Sequence, residues 1–200
     1  MTEKFRSSPI PFSGEVSDEA ILGVSIATTG EAQGHRLMFD ETSLSKLLQL
    51  GNSKPTGIKS RYTHPDFFTD GMGKYLGRFK NFRVVGSKLL ADLQISKTAH
   101  SSPNGDIGRY VLDLAKEDPT AFGASVVVDL DRVWLTKDGQ ELPAGGGRPA
   151  SAVGQYPVAR ITTLYAADLV DEPALNPSGL FENTEQMIKD LFVITHPYAI

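Results

Sequence analysis

Cysteine is absent from the 200-residue chain, which excludes disulfides, thiolate metal sites and a cysteine nucleophile together. Such a composition suits a reducing compartment. Tryptophan occurs once. No run approaches the roughly 18 consecutive apolar residues of a membrane-crossing helix. The opening MTEKFRSSPIPFSGE lacks the apolar stretch of a signal peptide. Histidine is scarce: His35, His64, His100 and His196 form no HxxxH or HExxH pair, so a zinc site would have to be assembled from distant segments. Nor is there a general excess of positive charge to hold a nucleic acid, because 20 Lys/Arg stand against 24 Asp/Glu for a net charge of −4. Locally the balance reverses: residues 54–88 carry eight Lys/Arg against only Asp66 and Asp70, a stretch expected to attract an acidic partner.

What remains is the composition of a globular domain of ordinary size, 40% hydrophobic and 22% charged. Residues 1–18 hold Ser, Pro and Glu without periodicity and read as a flexible arm. AILGVSIATT is β-rich. DETSLSKLLQLGN opens with capping chemistry, places Leu44, Leu47 and Leu48 on one face, and reaches Gly51 as an expected stop. YLGRFKNFRVV and KLLADLQIS flank Gly86-Ser87, a link suited to a tight hairpin. GDIGRYVLDLAKEDP sets Ile107, Tyr110, Val111 and Leu114 at helical spacing, and Asp118-Pro119 should end that helix. Two further strands are expected, one from FGASVVVDL and one from VARITTLYAADLVD. NTEQMIKDLF predicts a last helix with an Asn183/Gln186 capping box. Hairpin links without βαβ alternation predict an α+β, mainly β chain. The expected division is an arm over 1–18, one domain over 19–182, and a helix and tail over 183–200.

Three residues carry candidate chemistry. His64, in a Pro/Gly-broken loop, admits three readings: a loop histidine, a base, or a metal ligand with Asp66 and Asp70. Ser125 follows Gly123-Ala124, small residues that let a substrate backbone approach. A serine hydroxyl attacks only when a base takes its proton, so it needs a histidine within reach. That histidine works best when a further group fixes its tautomer. Asp168 interrupts a small, apolar strand, and a carboxylate buried there needs a partner. The alternative for Ser125 is a half-exposed strand serine; the segment does not match GxSxG. YLGRFKNFR mixes aromatic and basic residues on both strand faces, which argues against a base-stacking platform.

The order of these pieces resembles the prohead, or capsid-maturation, proteases of tailed phages. That pattern runs from a loop histidine (His64) to an iGr strand (YLGRF, 75–79) and a Leu/Ala-rich hairpin strand (KLLADLQIS, 88–96). A helix (106–117), a GxS strand (FGASVVV, 122–128) and a closing PAnP segment (VDEPALNPSGLF, 170–181) complete it. The resemblance implies a fold like that of the herpesvirus assembly proteases, a small antiparallel β-barrel flanked by helices. It implies a serine endopeptidase acting inside the assembling prohead in the host cytoplasm. Scaffold protein and major capsid protein would be its substrates, with self-cleavage and homo-oligomerisation open to it, and it would need no cofactor, metal or membrane. Carried over by position, Ser125 is the nucleophile and His64 the base. The family often has Glu-x-Ser before PAnP, where this chain has Ala166 and Asp168. The acid is displaced by two residues, an even shift that keeps it on one strand face, so Asp168 is the expected third member and His100 the alternative. A non-catalytic head-assembly or scaffold protein with the same fold is the rival expectation.

Overall fold

The computed structural model describes residues 14–64, 71–176 and 179–181. Asp66, Asp70, His196 and the 183–192 helix expectation lie outside these residues. The described residues are mainly β, with ten strands in one mixed sheet and two α-helices. β1 (Glu15–Val16), placed by sequence in the arm, pairs with β2 (Ala20–Thr28). β3 (Gly30–Ala32) and β4 (Leu37–Phe39) form a short hairpin. After helix α1 (Glu41–Asn52) come β5 (Ile58–Arg61), β6 (Tyr75–Val85) and β7 (Lys88–Ile95). A 3-10 turn (Lys97–Ser101) and helix α2 (Ile107–Glu117) lead to β8 (Gly123–Leu135), β9 (Glu141–Pro143) and β10 (Val158–Val170). The main path of the sheet is β1-β2-β7-β6-β5-β10-β4-β3, with β8 on β10 and β9 on β8.

Local chemistry accounts for most boundaries. Asp40 caps α1 by accepting from Ser43 N at 2.8 Å, while the Ser43 hydroxyl accepts from Asp40 N, so two free N–H donors are satisfied together. Leu44 and Leu47 of that helix are fully buried, a gain of about 1.5–3 kcal/mol each. Gly51 does not stop the helix. It lies inside α1, where an added Cβ would come within 2.6 Å of the Phe82 ring, so it is a close-packing glycine. In α2 the buried stripe is Ile107, Val111, Leu112 and Ala115. Tyr110, expected on that face, is instead half exposed and edge-on to Tyr62 at 6.0 Å. β6 buries both Phe79 and Phe82. Strict alternation would set them on opposite faces, but the ladder shifts register between Lys80 and Arg83 at Asn81, whose φ is 55°. That bulge turns both rings inward and leaves neither for base stacking. Gly77 of YLGRF sits where a Cβ would fall 2.0 Å from the Gln94 carbonyl oxygen of β7; only glycine allows the two strands to approach this closely.

The α+β, mainly β expectation agrees with this architecture, but the sheet differs from an antiparallel closed barrel in two respects. β10 runs parallel to β4 and β5, so the sheet is mixed. Its hydrogen-bonded ladder is also open, because β8 lies alongside β2 with no strand pairing between them among the described residues. The segment after β10 lies along this seam. The Asn176 amide donates to Ala124 O of β8 at 2.8 Å and accepts from the Ser25 hydroxyl of β2 at 2.6 Å. Leu180 O accepts from Ser25 N at 2.9 Å. Asn176 is 1% exposed; a buried amide of this kind is tolerated because its partners satisfy it. Gly123 packs here as well, since a Cβ on it would meet Pro173 at 2.7 Å. Its small size serves the seam.

Candidate active site

Three neighbouring strands set the site. β10 lies in the middle, with β8 antiparallel on one edge and β5 parallel on the other. The β8 register pairs Ser125 directly with Asp168, which places both side chains on the same face about 5 Å apart at Cβ. On the other edge Lys59 pairs with Ala166 and Tyr62 bridges to Leu169, so Arg61 at the end of β5 falls beside Asp168. Position 166, where the family pattern often has its acid, pairs with Val127, two residues along the strand from Ser125.

His64 lies three residues beyond β5. Between them Thr63 takes a φ of 62° while its N–H donates to Leu169 O at 2.7 Å. Positive φ is rare for a β-branched residue and costs about 1–3 kcal/mol. The kink leads from β5 to His64, whose ring reaches across Asp168 to Ser125. Its Nδ1 lies 2.8 Å from Asp168 Oδ2 and its Nε2 lies 3.2 Å from Ser125 Oγ. A carboxylate only accepts, so the proton sits on Nδ1, and Nε2 is left as an acceptor facing the hydroxyl. That is the tautomer a general base needs.

Asp168 has no solvent exposure, and a buried carboxylate keeps its charge only when paired. Arg61 supplies the pairing. Its backbone N–H and Nε donate to Oδ1 at 3.1 and 3.0 Å, and Nη2 donates to Oδ2 at 2.6 Å. With His64, the carboxylate accepts four hydrogen bonds. Arg61 is the site residue that sequence reading did not single out. It is one of the eight cations of 54–88, and its signal is its position three residues before the loop histidine. That run is not a uniform basic surface: Arg61 is neutralised by Asp168, Arg83 pairs with Asp92 at 3.0 Å, and Lys88 is buried.

The structure brings Ser125, His64 and Asp168 together and leaves His100 out. His100 Nδ1 bonds to Asp106, the cap of α2, at 2.7 Å. No cluster of three or more His, Asp or Glu suited to a metal occurs among the described residues, and no helix among them is long and apolar enough to cross a membrane. The glycine-rich loop at 145–147, whose N–H groups could have served an oxyanion, belongs instead to the other end of β8. Ala144 N bonds to Arg132 O, and Arg132 is seven residues from Ser125, about 23 Å along an extended strand.

Two cavities flank this arrangement. One of about 420 Å³ has Ser125 and His64 on its wall, with Leu37, Phe39, Val128 and Leu130 behind them. The other, about 430 Å³, lies toward Tyr62, Tyr110 and Phe122 and includes neither Ser125 nor His64. The two share Thr63, Val170 and Asp171. Burial, before the influence of Tyr110, raises the Tyr62 phenol above its usual value. Comparison of the chain with protein-family models, curated proteins and solved structures finds no match.

Proposed function

We propose that this chain is a serine endopeptidase in which Ser125 is the nucleophile, His64 the general base and Asp168 the residue that orients His64. The observation carrying the reading is the continuous relay Ser125 Oγ–His64 Nε2 and His64 Nδ1–Asp168 Oδ2, at 3.2 and 2.8 Å, beside a cavity. The longer first contact suits a site without substrate, where such bonds are often loose.

In the reaction, Nε2 takes the hydroxyl proton as Oγ bonds to the scissile carbonyl carbon. The C–N bond then breaks, and the leaving amine receives that proton from Nε2. Water adds to the acyl-enzyme by the reverse exchange, giving a free carboxyl group and restoring Ser125. Asp168 stabilises the imidazolium in both halves without itself taking a proton. Arg61 pairs with the carboxylate and holds it in place. The tetrahedral oxyanion needs donors, and the backbone supplies a candidate. Ala124 turns its carbonyl to Asn176, away from β10; by strand alternation the Val126 N–H is turned the same way, next to Ser125.

The order of motifs, similar to that of tailed-phage prohead proteases, extends the proposal to biology. The chain would cleave scaffold or major capsid protein inside an assembling prohead, and the open sheet would correspond to that family's barrel with residues 171–176 and 179–181 in its seam. Co-expression with a scaffold substrate tests this. Wild type should process the scaffold and Ser125→Ala should not, with both equally folded; processing by the variant would refute the assignment.

A further inference from the structure

We infer that the cavity on the Ser125 side is the subsite for the substrate side chain next to the scissile bond, and that it selects an aliphatic side chain over an acidic one. This rests on the peptidase reading above. Ser125 and His64 lie on the cavity wall, so a group seated in it is held against the reacting atoms. The second cavity has no such contact.

The walls come from three parts of the chain: Val128 and Leu130 from β8, Leu37 and Phe39 from the β3–β4 hairpin, and Leu175 from the seam segment. They are held in fixed relation. Gln33 N donates to Ala174 O at 2.9 Å, tying the hairpin to the seam segment, and Asn176 ties that segment to β8. The volume of about 420 Å³ lies within the range of small-molecule sites, about 300–1,000 Å³, and is ample for a leucine-sized side chain. Among the described residues no Lys or Arg lines it; besides His64, its ionisable groups there are His35, Asp171 and Glu172. The last two are exposed. An acidic substrate side chain would thus lose water against apolar walls and meet two carboxylates. A buried leucine-type side chain should react about 10- to 100-fold faster than none.

The test uses the full chain and three serine-directed aminoalkyl phosphonate esters, bearing leucine-type, glycine-type and glutamate-type side chains. The readout is the rate of adduct formation on Ser125 by mass spectrometry. The leucine probe should exceed the glycine probe by at least about 10-fold, and the glutamate probe should be slowest. Val128→Trp and Leu130→Trp, each shown folded by circular dichroism, should bring the leucine-to-glycine ratio toward one. A ratio near one in wild type, a fastest glutamate probe, or a ratio unchanged in a folded variant would overturn the inference. A small fluorophosphonate without a side chain separates the two levels. If it modifies Ser125 while the ratios are flat, only the subsite is wrong. If it leaves Ser125 untouched, the peptidase reading and the subsite fall together.

Discussion

Replacing Asp168 by Asn removes one charge and almost no volume, so its effect is set by the hydrogen bonds the carboxylate makes. Oδ1 accepts from Arg61 N and Nε; Oδ2 accepts from Arg61 Nη2 and His64 Nδ1. An asparagine amide nitrogen placed at either position faces two donors with a donor. Facing His64, it also favours the tautomer with the proton on Nε2, which cannot take a proton from Ser125. Loss of tautomer control in a Ser-His-Asp site costs about 10⁴ in rate, or about 5.5 kcal/mol at the barrier. The fold should suffer separately. Arg61 is 12% exposed, and leaving a largely buried charge unpaired costs about 3–5 kcal/mol. Two assays separate the effects: the rate of Ser125 modification by a fluorophosphonate, and urea unfolding monitored by circular dichroism. Modification of a folded Asp168→Asn variant at a rate close to wild type would refute the role given to Asp168.

Arg61→Met should destabilise the fold by about 3–5 kcal/mol, because Asp168 then lies buried without its guanidinium partner; Arg61→Lys should recover part of this in the same urea experiment, and a Met variant as stable as wild type would contradict it. Gly77→Ala should cost at least about 1–3 kcal/mol, the usual range for overpacking, since its methyl group meets backbone and not a movable side chain; a thermal melt reads this. Asp40 gives a pH dependence. Burial opposes its ionisation, but hydrogen bonds from Arg160 and Ser43 outweigh that and hold its carboxyl below the ordinary 3.8. The pair therefore adds stability that is fully present above about pH 4 and is lost as pH falls through the lower folded value. Asp40→Asn should reduce wild-type stability at pH 7 and narrow the gap in strong acid, measured by urea titrations across pH.

Much of the fold was legible because its determinants are local. The Asp40 cap, the Gly86-Ser87 hairpin and the Asp106 to Asp118 limits of α2 are written within a few residues of where they act. The mistakes share one cause, long-range pairing. Gly51 resembles a helix stop until Phe82 packs on it, and the register shift at Asn81 that buries Phe82 is invisible to strict alternation. Parallel pairing of β10 with β5 joins Arg61 to a carboxylate 107 residues away, and no local pattern marks that contact. Ser125, His64 and Asp168 were singled out by residue chemistry and motif order. Their meeting depends on the β8/β10 register and on a positive φ at Thr63, neither of which sequence spacing encodes. Asn176 stood in plain view within EPALNP, but its task of joining β2 to β8 needed the open seam to be seen.

The most direct measurement is fluorophosphonate modification of the full chain, with the adduct mapped by mass spectrometry. The relay from Asp168 through His64 to Ser125 predicts a single adduct on Ser125, absent from Ser125→Ala and strongly slowed in a folded His64→Ala. A folded wild-type protein that forms no adduct at Ser125, or forms one at an equal rate without His64, would contradict it.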